Sequence, residues 1–196
     1  YTAAVTYQAL RTAAGIAQLL EQTADEQHWL AAAEILRDRA PAFYNEERKL
    51  LNKGYLLSAE NGFEEDSVLD ISSFYGAFMY DYASEEHLVD TLHAIEEHML
   101  DISPSGGTGR YEDDNYFKSE PAYRGNPWFV TTLWMAQFYA MTDQKDKAHH
   151  YIDWALKNTL PSGVLSEQIA PEDSKVVGVT PLVWSHAELI NTILEI

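Results

Sequence analysis

Cysteine is absent from the 196-residue chain, which excludes disulfides and any chemistry or metal site built on a thiolate. Positive charge is scarce: 13 Lys and Arg stand against 31 Asp and Glu, a formal net charge of −18. A field of that sign repels the phosphates of nucleic acid and anionic membrane surfaces, so neither is expected as a partner, and it suits a neutral or cationic ligand. No apolar run approaches the ~18 residues that span a bilayer, and no signal-peptide pattern opens the chain. An initiator Met is missing too, so a chain that starts at Tyr1 is expected to be processed, trimmed or a piece of something longer. What the chain does have is a 46% hydrophobic composition with five Trp and twelve Tyr. That suffices for one domain, 1–196, and suits a sugar-binding cleft or a well-filled helical core equally.

The dominant period is helical. Ala3, Tyr7, Leu10, Ala14 and Ala17 recur at steps of three and four, as do Trp29, Ala33, Leu36, Ala40 and Phe43, and again Leu88, Leu92, Ile95 and Met99. Further helices are expected over Ser67–Tyr80, Pro127–Met141, Lys145–Leu156 and Pro181–Leu194. Two of them open with Asn126-Pro127 and Thr180-Pro181, read as an N-cap side chain before a proline at the first helical position. Short polar connections at 21–25, 81–84 and 142–144 imply antiparallel αα-hairpins with little room for a sheet. The longer loops, 103–125 and 158–179, are expected to gather at one end of the hairpin array, where function resides.

Two loops carry candidate chemistry. In the segment Pro161 to Pro171, followed by Thr180 to Glu188, a carboxylate, Glu167, stands beside the amide of Gln168, with Trp184 and Ser185 further on. A sugar-cleaving acid or base needs such company: amides and hydroxyls for sugar hydroxyls, and an aromatic face for a pyranose ring. In Gly106 to Tyr116, Arg110 is bracketed by tyrosines and three acids, a planar donor fork suited to vicinal hydroxyls. On composition alone this second loop also reads as a solvated acidic loop.

Arg110-Tyr111 with Asp114 and Tyr116, then Gly-Asn-Pro-Trp-Phe at 125–129, Ser-Glu-Gln at 166–168 and Thr-Pro-Leu-Val-Trp-Ser-His-Ala-Glu at 180–188 resemble the glucoamylase family, glycoside hydrolase family 15, in the family's order and over essentially the whole chain. The resemblance implies an all-α fold, an (α/α)6 toroid of six inner and six outer helices, of which the seven helices counted here would be the sixth to the twelfth. It implies an inverting hydrolase that releases glucose from α-glucosidic ends with two Glu residues. Carried over by position, Glu167 matches the general base, Arg110 a ligand of sugar hydroxyls, and Tyr116, Trp128 and Trp184 aromatic residues near the bound sugars. Tyr111 joins the substrate-binding set and Asp114 supports it. No cofactor is implied.

Two departures from the family pattern stand out. The family's general acid lies in an Asp-Leu-Trp-Glu-Glu-like segment that would precede Tyr1, so the chain reads as the C-terminal half of a catalytic domain, expected to associate with the upstream half or with itself. The link Phe117–Arg124 is longer than the family's, which bears on the leaving-group side of the pocket. The substrates implied are maltooligosaccharide or starch ends; trehalase and glucodextranase activities are the neighbouring alternatives, and a non-catalytic carbohydrate-binding helical protein is the alternative of another class. Trp128, just after a helix start, suits pocket and core alike, while His186 and Glu188 read as packing groups behind the site. His87, His93 and His98 are spaced by six and five rather than by the four of a zinc-binding helix, so no metal is expected. Asp70 reads as a buried structural carboxylate.

Overall fold

The computed structural model describes residues 1–60 and 62–196, which form two compact units, Tyr1–Leu92 and His93–Ile196. In the first, α1 (Thr2–Leu19) packs on α2 (Thr23–Arg39). Ala4, Tyr7, Ala33, Ala40 and Tyr82 form the shared core, with the Tyr82 hydroxyl donating to the Leu36 carbonyl at 2.7 Å. The period that runs on to Phe43 ends as an α-helix at Arg39, and Ala40–Phe43 tightens into a 3-10 turn around Pro41, which lacks the N–H to continue the ladder.

The expectation of little sheet is overturned in this unit. The strands β1 (Tyr44–Asn45), β2 (Leu50–Ser58) and β3 (Gly62–Leu69) form an antiparallel sheet, with Ser58 opposite Gly62 and a bulge between Asn52 and Gly54. Its β3 strand is acidic and mostly exposed, so it carries no apolar alternation to announce itself. The helix expected from Ser67 starts instead at α3 (Ile71–Met79), because Ser67–Leu69 belong to β3. Asp70 is buried as expected and caps α3, accepting from the Ser72 amide at 2.7 Å and hydroxyl at 2.6 Å. The next helix is α4 (Glu85–His98), on which His87 stacks against Tyr44 with ring centroids 3.8 Å apart.

The second unit is built around α5 (Phe129–Met141), which packs on α6 (Lys145–Lys157) and α7 (Val183–Glu195). All eleven residues from Phe129 to Tyr139 are buried, so α5 has no solvent face and serves as the central post. Phe129, Leu133, Trp154, Ala155, Leu165 and Ile169 form its core. Two short strands, β4 (Gln168–Ile169) and β5 (Val176–Val177), pair within the loop between α6 and α7. The two helix starts expected at the prolines fall two residues late: α5 and α7 have Trp128 and Leu182 at the N-cap, neither with a side-chain cap. Pro127 and Pro181 lie just before the extended N-cap residues, the latter after a cis bond. Among the described residues no helix is long and apolar enough to cross a membrane.

The same device ends α1, α3 and α5. Glu21, Asp81 and Asp143 take left-handed φ values of 56, 50 and 59°. The next amides, of Gln22, Tyr82 and Gln144, then return to the carbonyls of Ala17, Ala77 and Tyr139 at 2.8–2.9 Å. This is a Schellman closure with an acid where glycine is the unstrained choice. Replacing Glu21 by Gly should therefore raise stability by about 0.5–1 kcal/mol, read as a higher urea midpoint at unchanged slope.

A polar cluster joins α4, α5 and α6. The Glu96 carboxylate accepts from the Tyr139 hydroxyl and from Lys147 Nζ, both at 2.8 Å. Burial alone would raise its pKa, but these two donors outweigh burial and hold it below its ordinary 4.5. Burial and the bonded carboxylate together push the Tyr139 hydroxyl well above its usual range, so it stays a donor. A carboxylate depressed in the fold stabilises above its unfolded value and loses that contribution as pH falls through the folded one. Wild type should exceed Glu96→Gln by about 0.5 kcal/mol at neutral pH, with the gap closing as pH falls from about 5 toward 2 in thermal melts.

Candidate active site

Three stretches of the second unit meet at the start of α5. A helix start leaves amides without intrahelical partners, and here loop carbonyls take them: Trp128 N–H donates to Thr108 at 2.9 Å and Phe129 N–H to Glu167 at 3.2 Å. Thr108 is bound again through its amide to Thr132 Oγ1, 3.0 Å, and its carbonyl also accepts from Thr131 Oγ1, 3.1 Å. The Ile169 amide donates to the Pro127 carbonyl at 3.0 Å. Further out, Asp101 accepts from the Gly107 amide and the Tyr151 hydroxyl, both at 2.7 Å, and Trp154 Nε1 donates to Ser105 at 2.7 Å, which ties the Gly-rich loop to α6.

On this frame Arg110 is held flat. Its Nε and Nη2 donate to the two oxygens of Asp114 at 2.7 and 2.9 Å, and Asp114 Oδ1 also accepts from the Tyr116 amide at 2.9 Å. Asp114 is 1% exposed and Arg110 a third exposed, so the acid anchors the fork from below. The guanidinium lies over Trp128, Tyr116 and Tyr111 at 4.3, 4.9 and 5.2 Å from the ring centroids. Burial lowers the Arg110 pKa, but the Asp114 bonds outweigh it, with Tyr111 and Glu167 adding to the rise. Rings continue outward, Trp128 to Tyr116 at 5.9 Å and Tyr116 to Phe117 at 4.7 Å, from a buried indole to an exposed phenyl.

Glu167 is buried, and its carbonyl accepts from Phe129, the residue after the Trp128 over which Arg110 lies. Oε2 accepts from Gln168 Nε2 at 3.3 Å, and Gln168 Oε1 accepts from Asn126 Nδ2 at 2.9 Å, which fixes the direction of the Gln168 amide. Asn126 also donates to the Phe117 carbonyl, 2.8 Å, and accepts from the Ser119 amide and hydroxyl, 3.1 and 2.9 Å. Its expected capping role is replaced by this one, in which it holds the Phe117–Arg124 link. Arg124 closes that link on Glu112, Nη1 to Oε1 at 2.6 Å.

The structure thus brings Arg110, Tyr111, Asp114, Tyr116 and Trp128 together, with Glu167 beside them. Trp184 is half-exposed in the first turn of α7; its Nε1 donates to Glu188 Oε1 at 3.0 Å and its ring lies edge-on to Trp134, centroids 5.6 Å apart. That turn is tied to the Glu167 loop by the Ser185 hydroxyl, which donates to Ser166 O at 2.7 Å, and by the Leu182 N–H, which donates to Leu165 O at 3.1 Å. Glu188 is engaged, accepting also from Gln137 Nε2 at 2.9 Å, and His186 Nε2 accepts from the Leu165 amide at 3.0 Å. Asn126 is a contributor that sequence reasoning missed. An amide read as a cap gives no sign of a bond to a residue 42 positions on.

An oriented donor fork on an aromatic floor, with a carboxylate alongside, is an arrangement found in carbohydrate-processing sites. The comparisons agree. The sequence model of Glycosyl hydrolases family 15 matches residues 1–156, and the chain belongs to that family. An uncharacterized glycosyl hydrolase of Methanocaldococcus jannaschii is 27% identical over 209 residues, covering 100% of this chain and 32% of the relative. Trehalase 2 of Sulfolobus acidocaldarius is 25% identical over 122 residues, 60% of this chain and 19% of that enzyme. Among solved structures, a bacterial glucoamylase complexed with acarbose superposes with a TM-score of 0.81 at 19% identity, over 98% of this chain and 32% of its own. The fold is therefore that of the glucoamylase-type (α/α)6 helical class. The chain spans about a third of the length of the first relative and of that structure.

Asp114→Asn should cost about 2 kcal/mol of stability, because it leaves a partly buried guanidinium without its counter-charge, and urea denaturation measures it.

Proposed function

We propose that the full-length protein is an inverting, exo-acting α-glucosidase that releases glucose from the ends of α-glucans or maltooligosaccharides, with Glu167 as general base. The observation that carries this reading is the position of Glu167: a buried carboxylate, oriented by Gln168, beside an Arg110 fork lying over three rings. Arg110 binds hydroxyls of the terminal sugar, and Asp114 fixes the orientation of its fork. Trp128, Tyr116 and Tyr111 supply the apolar surface for ring faces, and Trp184 a further aromatic side. Glu167 removes a proton from the attacking water as the anomeric carbon loses its leaving group. A second carboxyl protonates that leaving oxygen from about 6.5–9.5 Å away, and by resemblance to the family it comes from the part of the protein before Tyr1, the proposed partner of this chain.

A trehalose-cleaving activity is the second reading, favoured by the trehalase relative. Maltose, isomaltose and trehalose incubated separately with the full-length gene product distinguish the two. The expected result is glucose release fastest from maltose-type ends, with β-glucose appearing first by proton NMR. First appearance of α-glucose would remove the inverting mechanism. Glu167→Gln should lower turnover by roughly 10²-fold or more with ligand binding nearly intact; a variant keeping more than about a tenth of wild-type turnover moves the base elsewhere.

A further inference from the structure

We infer that Gly178 is a positioning residue for the Glu167 carboxylate, an inference that rests on the reading of Glu167 as base. Glu167 is held by its backbone from two sides: its carbonyl accepts from Phe129 at 3.2 Å, and its amide donates to Val179 at 2.9 Å. The following residues pair with the strand just before, Gln168 with Val177 and Ile169 with Val176. Gly178 therefore stands directly against the Glu167 side chain. A Cβ added there would lie within the van der Waals envelope of Glu167 Oε2 and 3.2 Å from both its Cβ and its Cδ. The backbone on both sides is committed to hydrogen bonds, whereas the carboxylate is the far end of a rotatable side chain, held by the 3.3 Å bond from Gln168 Nε2. So the carboxylate is what gives way. It would leave Gln168 Nε2 and its place beside Arg110, while the strand pairing survives.

Gly178 also has a left-handed φ of +77°, which strains any other residue. Strain and displacement are separated by Gly163, whose φ is +80° and whose Cβ would meet nothing within 4 Å. In the full-length enzyme, Gly178→Ala should lower the melting temperature more than Gly163→Ala does, the excess being the cost of displacing the Glu167 carboxylate. Only Gly178→Ala should lower kcat, by about 30-fold or more with KM within about threefold, the signature of a group that acts in the transition state. The acidic limb of its kcat/KM profile should also move, while that of Gly163→Ala stays where wild type has it.

The double variant Glu167→Ala/Gly178→Ala provides a readout independent of turnover. With the Glu167 side chain truncated, the alanine at 178 should cost only what Gly163→Ala costs, a non-additivity expected of groups in contact. This arm also covers a Gly178→Ala variant that fails to fold. Folding restored by truncating Glu167 supports the inference, and failure in both backgrounds overturns it. A kcat within about twofold of wild type and an unmoved acidic limb, alongside an inactive Glu167→Gln, overturn the role of Gly178 and leave the base assignment standing. An active Glu167→Gln overturns both.

Discussion

The hydrogen bond from the Phe129 amide to the Glu167 carbonyl is the constraint on which the second unit turns. A helix buried along eleven successive residues cannot leave its first donors to water, and each unpaired buried amide would cost about 1–3 kcal/mol. A capping side chain can meet this demand, as Asp70 does for α3, but α5 has none. Its donors go to carbonyls of two loops distant in sequence, those of Thr108 and Glu167. Completing the helix start and locating the loops are thus one event, and a loop that carries a carboxylate inherits the rigidity of the most buried helix in the unit.

That rigidity frames an electrostatic arrangement unusual in a chain of net charge −18. Arg110 is one of few cations, and it is matched by the fully buried Asp114 rather than by a mobile surface acid. The pair is close to neutral as a unit, so what it presents outward is the geometry of N–H groups over rings more than a net charge. Such a surface suits an uncharged polyol, whose recognition depends on directed hydrogen bonds and on CH faces. The residual field of Arg110 falls on Glu167, the other buried charge beside it.

Three of the helices were legible because apolar residues recur along them at helical steps, and tight turns such as Thr142–Gln144 mark the ends of others among the described residues. The hairpin from Leu50 to Leu69 was not, since Glu64, Glu65 and Asp66 on an exposed strand resemble a loop in composition. The prolines at 127 and 181 have the local character of helix openers, but the segments before both helices are engaged in pairing with other loops, and tertiary hydrogen bonds displace the local preference. At the site, Arg110 and Glu167 stand out by the residues around them in their loops, and the resemblance supplied their roles. Their spacing of more than fifty residues carries no signal of its own, and only the α5 start brings them together. Gly178 was invisible for a similar reason: its importance lies in a strand pairing that composition does not encode.

Asn126 has every side-chain hydrogen-bonding group occupied: two donors, to Phe117 and Gln168, and an acceptor shared by the Ser119 amide and hydroxyl. Conversion to aspartate would remove both donors and reverse the order Asn126, Gln168, Glu167 at its root. The ordinary chemical ageing of asparagine proceeds through attack by the following backbone N–H on the side-chain amide. Here the following residue is Pro127, which has no such N–H. The amide at the root of the network is therefore one that the next residue cannot convert to aspartate by that route, so the covalent structure of its neighbour protects the polarity of the network from it.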